Sequence, residues 1–355
     1  MGVLSTAAGA VRAEDGFDVA AVDAWLAQHE PGLQGPPQVT QFSGGASNLT
    51  YLLRYPQREL ILRRPPPGVK AASAHDMARE FAVQRALAPV FPYVPRMVAL
   101  CREHDVLGSD FYVMERIEGE ILRARLPPEL GLDERRRGAL CAAFVDRLVE
   151  LHGVDPAGAG LDGLGRGPGY VRRQVEGWSE RYRSAHTWNA PSFKRVMQWL
   201  SERQPEDAGA CVVHNDFRLD NLVLDPQNPQ RIVGVLDWEM ATVGDPLMDL
   251  GGALAYWVQA DDDRAMHVLR RQPTHLPGML GRTEVIERYA QQTGRSIEDW
   301  VFYEVFGLFR LAVIVQQIYR RYHLRQTRNP AFRHYWLATR YLERRCRRIV
   351  NRARD

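Results

Sequence analysis

Cysteine is scarce in this chain of 355 residues: four, at positions 101, 141, 211 and 346. Their spacing fits neither a metal knuckle nor a redox pair, and three of them, in apolar or helical context, read as small core residues. Thiols without a disulfide framework imply a reducing compartment, and the cytoplasm is the expected location. No apolar run reaches the length of a membrane span. The best candidate, 301–318, carries Glu304, Arg310 and two glutamines. It reads as a buried helix, and no membrane partner is expected. Residues 1–16 lack the basic start and apolar stretch of a secretory leader and read as a mobile tail. Internal repeats and low-complexity tracts are absent too. The chain is 45% apolar and 25% charged, which supplies a sizeable core for one or two domains.

Net charge is only +3, but it is unevenly placed. From Arg320 to Asp355 there are 12 arginines against Glu343 and Asp355, a balance of +10, which leaves −7 for the rest. Aromatic and aliphatic residues (Tyr335, Tyr341, Leu342 among them) recur there at helical spacing. The stretch therefore reads as an amphipathic helix packed on the body with a solvated basic face, and nucleic acid is not an expected partner.

The most informative stretch is Val213-His214-Asn215-Asp216-Phe217-Arg218-Leu219-Asp220-Asn221, followed by Val235-Leu236-Asp237-Trp238-Glu239. Phosphoryl transfer needs magnesium held on phosphates, an aimed acceptor hydroxyl and a base for its proton. Asp216 takes the base position. Asn221 offers a neutral oxygen and Asp237 an anionic one, the hard ligands that magnesium prefers. Arg218, two residues beyond the base, could face the acceptor or the γ-phosphate, or brace the loop. Apolar flanks at 211–213, 222–224 and 232–236 read as short buried strands that hold the loop rigid. Asp220, Asp225 and Asp245 read as ordinary turn or cap residues.

This pattern resembles the aminoglycoside phosphotransferase family, a branch of the protein-kinase-like fold. The resemblance continues through Ala241-Thr242-Val243-Gly244-Asp245-Pro246-Leu247-Met248-Asp249-Leu250. It is nearest to the branch related to kinase domains attached to acyl-CoA dehydrogenases, with Leu62-Arg63-Arg64-Pro65-Pro66-Pro67-Gly68, His75-Asp76-Met77-Ala78-Arg79-Glu80 and Phe111-Tyr112-Val113-Met114-Glu115. The resemblance implies an α+β, two-lobed fold with a small β-rich N-lobe and a large, mainly helical C-lobe. The expected division is a tail at 1–16, a nucleotide lobe at 17–116 and a catalytic and substrate lobe at 117–355. It further implies that Asp249 binds catalytic-loop backbone and that His214 braces the metal strand.

On the nucleotide side, Ser43, Gly44, Gly45, Ser47 and Asn48 lie between two expected strands, where backbone amides and small side chains can approach phosphates. Kinases place a cation on the third strand, paired with a helix carboxylate. Arg63 stands there in place of lysine, with Glu80 as its partner, and strand alternation sends Arg64 to the opposite face. Backbone groups of Glu115 to Ile117 are expected beside the adenine, ahead of a linker at 115–120. The expected cofactors are ATP and Mg2+, with backbone contacts to the base saying little about ATP versus GTP. On the acceptor side, Tyr170, Arg173, Gln174, Trp178, Arg181 and Tyr182 recur at helical spacing and line either a cleft or the core. The expected reaction transfers the γ-phosphoryl group to a hydroxyl of a small molecule, an anionic hydroxy acid or hydroxyacyl-CoA. An aminoglycoside kinase and a catalytically silent nucleotide-binding scaffold are the alternatives. Oligomeric state is left open.

Overall fold

In the computed structural model, residues 8–42, 48–66 and 76–353 are described. Five antiparallel strands, β1 (Gln38–Gln41), β2 (Leu49–Arg54), β3 (Glu59–Arg64), β4 (Met97–Cys101) and β5 (Phe111–Glu115), form one sheet in the order β1-β2-β3-β5-β4. Strand alternation sends Leu53, Leu60 and Leu62 to one face, where they meet Val22, Trp25 and Leu26 of α1 (Val19–His29). The other face presents Leu52 and Ile61 to Met77 and Phe81 of α2 (Met77–Leu87). Asp18 caps α1 and Asp76 caps α2 through their carboxylates, satisfying amides that the first helical turn leaves open.

Residues 8–16 depart from the expected tail. Gly9 bridges to Gln41, Tyr51 Oη donates to the carbonyl of Asp15, and the Asp15 side chain accepts from Gln41 Nε2 at 2.8 Å. Composition gave no sign of this docking, because backbone groups make most of it.

The path out of the sheet is pinned. Glu120 and Leu224 exchange both backbone hydrogen bonds, at 2.9 and 2.8 Å. Gly119 sits at φ +154°, where a Cβ would lie 2.3 Å from the Leu224 carbonyl oxygen, so only glycine fits.

The second lobe is mainly helical: α4 (Glu134–His152), α5 (Tyr170–Ala185), α6 (Lys194–Glu202), α7 (Pro246–Leu254), α8 (Arg264–Leu269), α9 (Arg282–Thr293), α10 (Trp300–His323) and α11 (Tyr335–Arg352). A short α3 (His104–Leu107) belongs to the first lobe. By length and composition α10 could cross a membrane, but its apolar window is 67% buried among the other helices. It crosses α7 at Gly251 and Gly307, where a Cβ on Gly307 would meet the Gly251 carbonyl oxygen at 2.2 Å. That close approach carries Asp249 of α7 against the catalytic segment. Helix α11 buries Thr339, Leu342, Cys346 and Val350 and leaves most of its arginines outside, as the amphipathic reading anticipated. Between the helices lie two small antiparallel ladders, β6 (Cys211–Val213) with β9 (Thr242–Gly244), and β7 (Leu222–Leu224) with β8 (Ile232–Val235).

Candidate active site

The two ladders hold the segments that carry the chemistry. Residues 214–221 leave β6 and return into β7, and Asp237 follows β8 directly. Asn215 and Asp237 both adopt left-handed backbone, at φ +64° and +70°. Such conformations cost roughly 1–3 kcal/mol each outside glycine and cluster at functional sites. Here the surroundings enforce them. Asp249 accepts from the amides of His214 at 2.7 Å and Asn215 at 2.8 Å. His152 Nε2 lies 3.2 Å from the same carboxylate, and its Nδ1 lies 2.7 Å from Tyr289 Oη. Burial works to raise the Asp249 pKa, but His152 and these donors overcome it and hold the carboxyl below its usual range. His214 is fully buried, with Nε2 3.0 Å from the Leu236 carbonyl. Desolvation depresses its pKa, so it serves as a neutral brace between the loop and the metal strand.

Asp216 faces the cleft. Asn221 Nδ2 donates to its backbone and side-chain oxygens, both at 2.9 Å. Arg218 Nε lies 3.0 Å from Asp216 Oδ1 and 3.3 Å from Asp220 Oδ1, while its guanidinium stacks 4.5 Å from the Tyr256 ring centre. Burial opposes the Arg218 charge, but Asp216 and its neighbours raise the pKa above the usual value. Arg218 thus braces Asp216 while bordering the same cleft. Asp225 and Asp245 are a turn and a cap residue, as expected. Asp220 is not: it is a partly buried second partner for Arg218, and desolvation raises its pKa.

Arg63 lies on the α2 side of the sheet and Arg64 on the α1 side. Arg63 Nη2 is 2.9 Å from Asp237 Oδ1 and Nη1 is 3.5 Å from Glu80 Oε1. Arg64 instead donates to the Asp15 carbonyl at 2.6 Å and packs over Phe17 and Tyr51. Burial works against both members of the Arg63–Glu80 pair. Glu80 and Asp237 together keep Arg63 firmly protonated, whereas in Glu80 burial outweighs the Arg63 charge, and the nearby Asp237 charge adds to the rise. In Asp237, burial is outweighed by Arg63, and the carboxyl is held low.

Further clamps were not legible in the motifs. Arg79 of α2 donates to the carbonyls of Glu239 and Ala241, tying the Glu80 helix to the segment after Asp237. Asn48 Nδ2 donates to Glu239 Oε2 at 3.0 Å. Ser43, Gly44, Gly45 and Ser47 lie outside the described residues. The Glu115 side chain turns to Arg96 at 2.9 Å, leaving the backbone of 115–117 to border the cleft. The Ile117 side chain packs against Gly234.

One cleft of about 1960 Å³ joins these groups to the acceptor side. Trp178, Gln174, Arg173 and Arg181 line it, as does Tyr170, whose hydroxyl donates to Asn215 Oδ1 at 3.2 Å. Arg173 also caps its own loop through the carbonyls of Gly167 and Pro168. Tyr182 is a core residue whose hydroxyl donates to the Pro191 carbonyl. The residue that sequence reasoning missed is Arg310 of α10. It is buried, borders the cleft and donates to the Asn215 carbonyl. Its signal was a lone arginine inside an apolar helix.

The candidate ligands, Asn221 and Asp237, are of the type that magnesium takes. Asn221 spends its amide nitrogen on Asp216, which leaves its oxygen as a ligand atom, and the backbone turn at Asp237 lifts a carboxylate into the cleft. No cluster of three His, Cys, Asp or Glu stands ready for a metal among the described residues. Magnesium in nucleotide sites needs only one or two protein carboxylates, since phosphates and water complete its shell.

The model of the phosphotransferase enzyme family matches residues 38–285. Mouse acyl-CoA dehydrogenase family member 10 is 37% identical over 289 residues, which is 81% of this chain. The chain spans only 27% of the length of that protein. A Ralstonia eutropha structure, provisionally named an aminoglycoside phosphotransferase, superposes with TM-score 0.80 at 31% identity, covering 95% of this chain and 99% of the other. Choline kinase from Cryptosporidium parvum shares the fold at TM-score 0.65 and 12% identity, covering 95% and 97%. From β1 through the catalytic loop to α9, this chain belongs to the APH phosphotransferase family and is a phosphotransferase of the small-molecule kinase type.

Proposed function

We propose that the enzyme moves the γ-phosphoryl group of ATP, with magnesium, to a hydroxyl of a small anionic acceptor, a hydroxy acid or its coenzyme A thioester. Asp216 orients the hydroxyl and takes its proton. Arg218 and Asn221 fix the Asp216 carboxylate. Asn221 and Asp237 hold magnesium, which neutralises charge building on the phosphates. Arg63 leaves Asp237 to hold phosphate oxygens, and the backbone of Glu115 to Ile117 meets the base of the nucleotide.

One observation carries the sign of the acceptor. The acceptor wall, formed by residues 164–181 and 256–341, contributes six arginines to the cleft: Arg166, Arg173, Arg181, Arg270, Arg271 and Arg310. No aspartate or glutamate from those segments lines it among the described residues. Every lining carboxylate stands with the nucleotide and catalytic groups. A polycationic aminoglycoside would meet like charge there, whereas an anion is drawn in. The wall also carries Leu311, Ile314 and Val315, apolar surface suited to an acyl chain. The relatives joined to acyl-CoA dehydrogenases point to acyl chemistry as well.

The test is competitive γ-phosphate transfer from ATP, at two ionic strengths, to hydroxy acids, their coenzyme A thioesters, aminoglycosides and amino sugars. Preference for the anions, weakening with salt, supports the reading. Efficient turnover of kanamycin-type amines with none of the hydroxy acids overturns it.

A further inference from the structure

Arg310 is the only charged residue among those that α10 buries. Its Nη2 donates to the carbonyl of Asn215, one residue before Asp216. Its guanidinium stands 5.2 Å from the Trp178 ring centre, and that of Arg181 stands 4.7 Å from the same ring. Neither arginine has an ion-pair partner among the described residues, where the other deeply placed cleft cations, Arg63 and Arg218, each have two carboxylates. Burial and the Arg310 charge both lower the pKa of Arg181. A buried cation without a counter-charge is costly to the fold. Arg310, which is buried, and Arg181, which is exposed, both stand against the Trp178 ring and border the acceptor end of the cleft, an arrangement completed by a ligand.

We propose that Arg181 and Arg310 are the specificity pair of the acceptor site, holding an acyl oxygen of the acceptor, a free carboxylate or a thioester carbonyl, beside Asp216. The proposal deepens the function proposed above and rests on it. Trp178 supplies a flat floor that keeps both guanidiniums ordered through cation–π contact. The bond from Arg310 to Asn215 fixes the distance between the acyl site and the base. The pair therefore selects acceptors whose hydroxyl lies close to the acyl carbon. A planar fork of donors matches carboxylate best and still donates to a neutral carbonyl.

The experiment compares 3-hydroxybutyrate, 3-hydroxybutyryl-CoA and 1,3-butanediol as acceptors, and butyrate as a dead-end competitor, in the wild type, Arg181→Gln and Arg310→Lys. Arg181 is exposed to the cleft, so Arg181→Gln tests binding without disturbing the core. Arg310→Lys keeps the buried charge while losing the fork. The expected result is that the wild type prefers the two acyl acceptors to the diol. Both variants should raise the acceptor KM roughly 10- to 100-fold, the worth of a charge-assisted hydrogen bond, and weaken butyrate inhibition by a similar factor. The KM for ATP should stay near wild type, and the diol should lose much less than the acyl acceptors. A larger loss for the acid than for the thioester identifies carboxylate as the preferred partner, and equal losses identify the carbonyl oxygen common to both. Equal loss for diol and acyl acceptors means a structural role and overturns the pair. So does an acyl preference that survives both substitutions. A wild type that ignores all acyl acceptors and phosphorylates aminoglycosides overturns the underlying function instead.

Discussion

Arg63 and Asp237 are each other's partner: the cation of the third strand lies 2.9 Å from the carboxylate that follows β8. In the proposed reaction both groups take other partners, phosphates for the arginine and magnesium for the carboxylate. The contact is therefore a resting latch between the lobes, with Glu80 waiting on the far side of the guanidinium at 3.5 Å.

That latch makes the metal assignment testable in both directions. Asp237→Ala removes the anionic ligand and should abolish the magnesium dependence of nucleotide binding. It also frees Arg63, so metal-free nucleotide should bind at least as well as in the wild type. Asn221→Ala should be milder, because a neutral oxygen contributes less. Fluorescence titration of nucleotide with and without magnesium measures all three. Unchanged metal dependence in Asp237→Ala would remove Asp237 from the site.

Arg63→Ala should raise the ATP KM and lower turnover, and Glu80→Ala should do the same more weakly. Glu80 is buried, with Oε1 3.5 Å from Arg63 Nη1. Among the described residues it forms an ion pair with no other cation. The double variant should therefore be less damaged than the sum of the single effects, by roughly 0.5 kcal/mol or more in a double-mutant cycle. Strict additivity would show that the two act separately.

The sequence made these local relations readable for a physical reason. The catalytic loop is contiguous, so His214, Asp216 and Asn221 announce themselves by spacing. The opposite faces of Arg63 and Arg64 follow from strand alternation alone. Relations between distant segments left weaker traces. Arg79 reaches the backbone of Glu239 and Ala241, and Arg310 reaches that of Asn215. A backbone acceptor has no side-chain identity to recognise. Residues 8–16 and the bridge between Glu120 and Leu224 escaped notice likewise, since main-chain groups make those contacts. Helix α8 has six residues, too few to show a period. The acceptor wall draws residues from α5, α8, α10 and α11, and only the fold assembles them.

Asp216→Asn should leave nucleotide binding nearly intact and reduce turnover by roughly 10²-fold or more, the usual worth of a positioned base. The substitution keeps the shape, and Asn221 still has the backbone oxygen of residue 216 to hold. A pulse of labelled ATP with acceptor, set beside a nucleotide titration, separates the two effects. Wild-type turnover in this variant would mean that the base lies elsewhere.

The last prediction concerns stability rather than chemistry. Asp262 binds Arg282 at 2.6 and 3.0 Å, Arg345 at 2.8 Å and the Gln259 amide at 2.8 Å. It fastens α9 and α11 to the segment after α7, with only 4% of its side chain exposed. Burial alone would raise its pKa. The hydrogen bonds from Arg282 and Gln259 and the Arg345 charge more than reverse this and hold it at about 2, against an ordinary 3.8. A depressed carboxylate stabilises the fold fully above its unfolded pKa and loses that contribution as pH falls through the folded one. Asp262→Asn should accordingly cost on the order of 2 kcal/mol near pH 7, and the cost should shrink as pH falls from about 4 towards about 2. Urea unfolding of the wild type and the variant at stepped pH reads the difference directly. A gap that stays constant from neutral pH down to pH 3 would show that the lost contacts, and not the charge on Asp262, hold α11 in place.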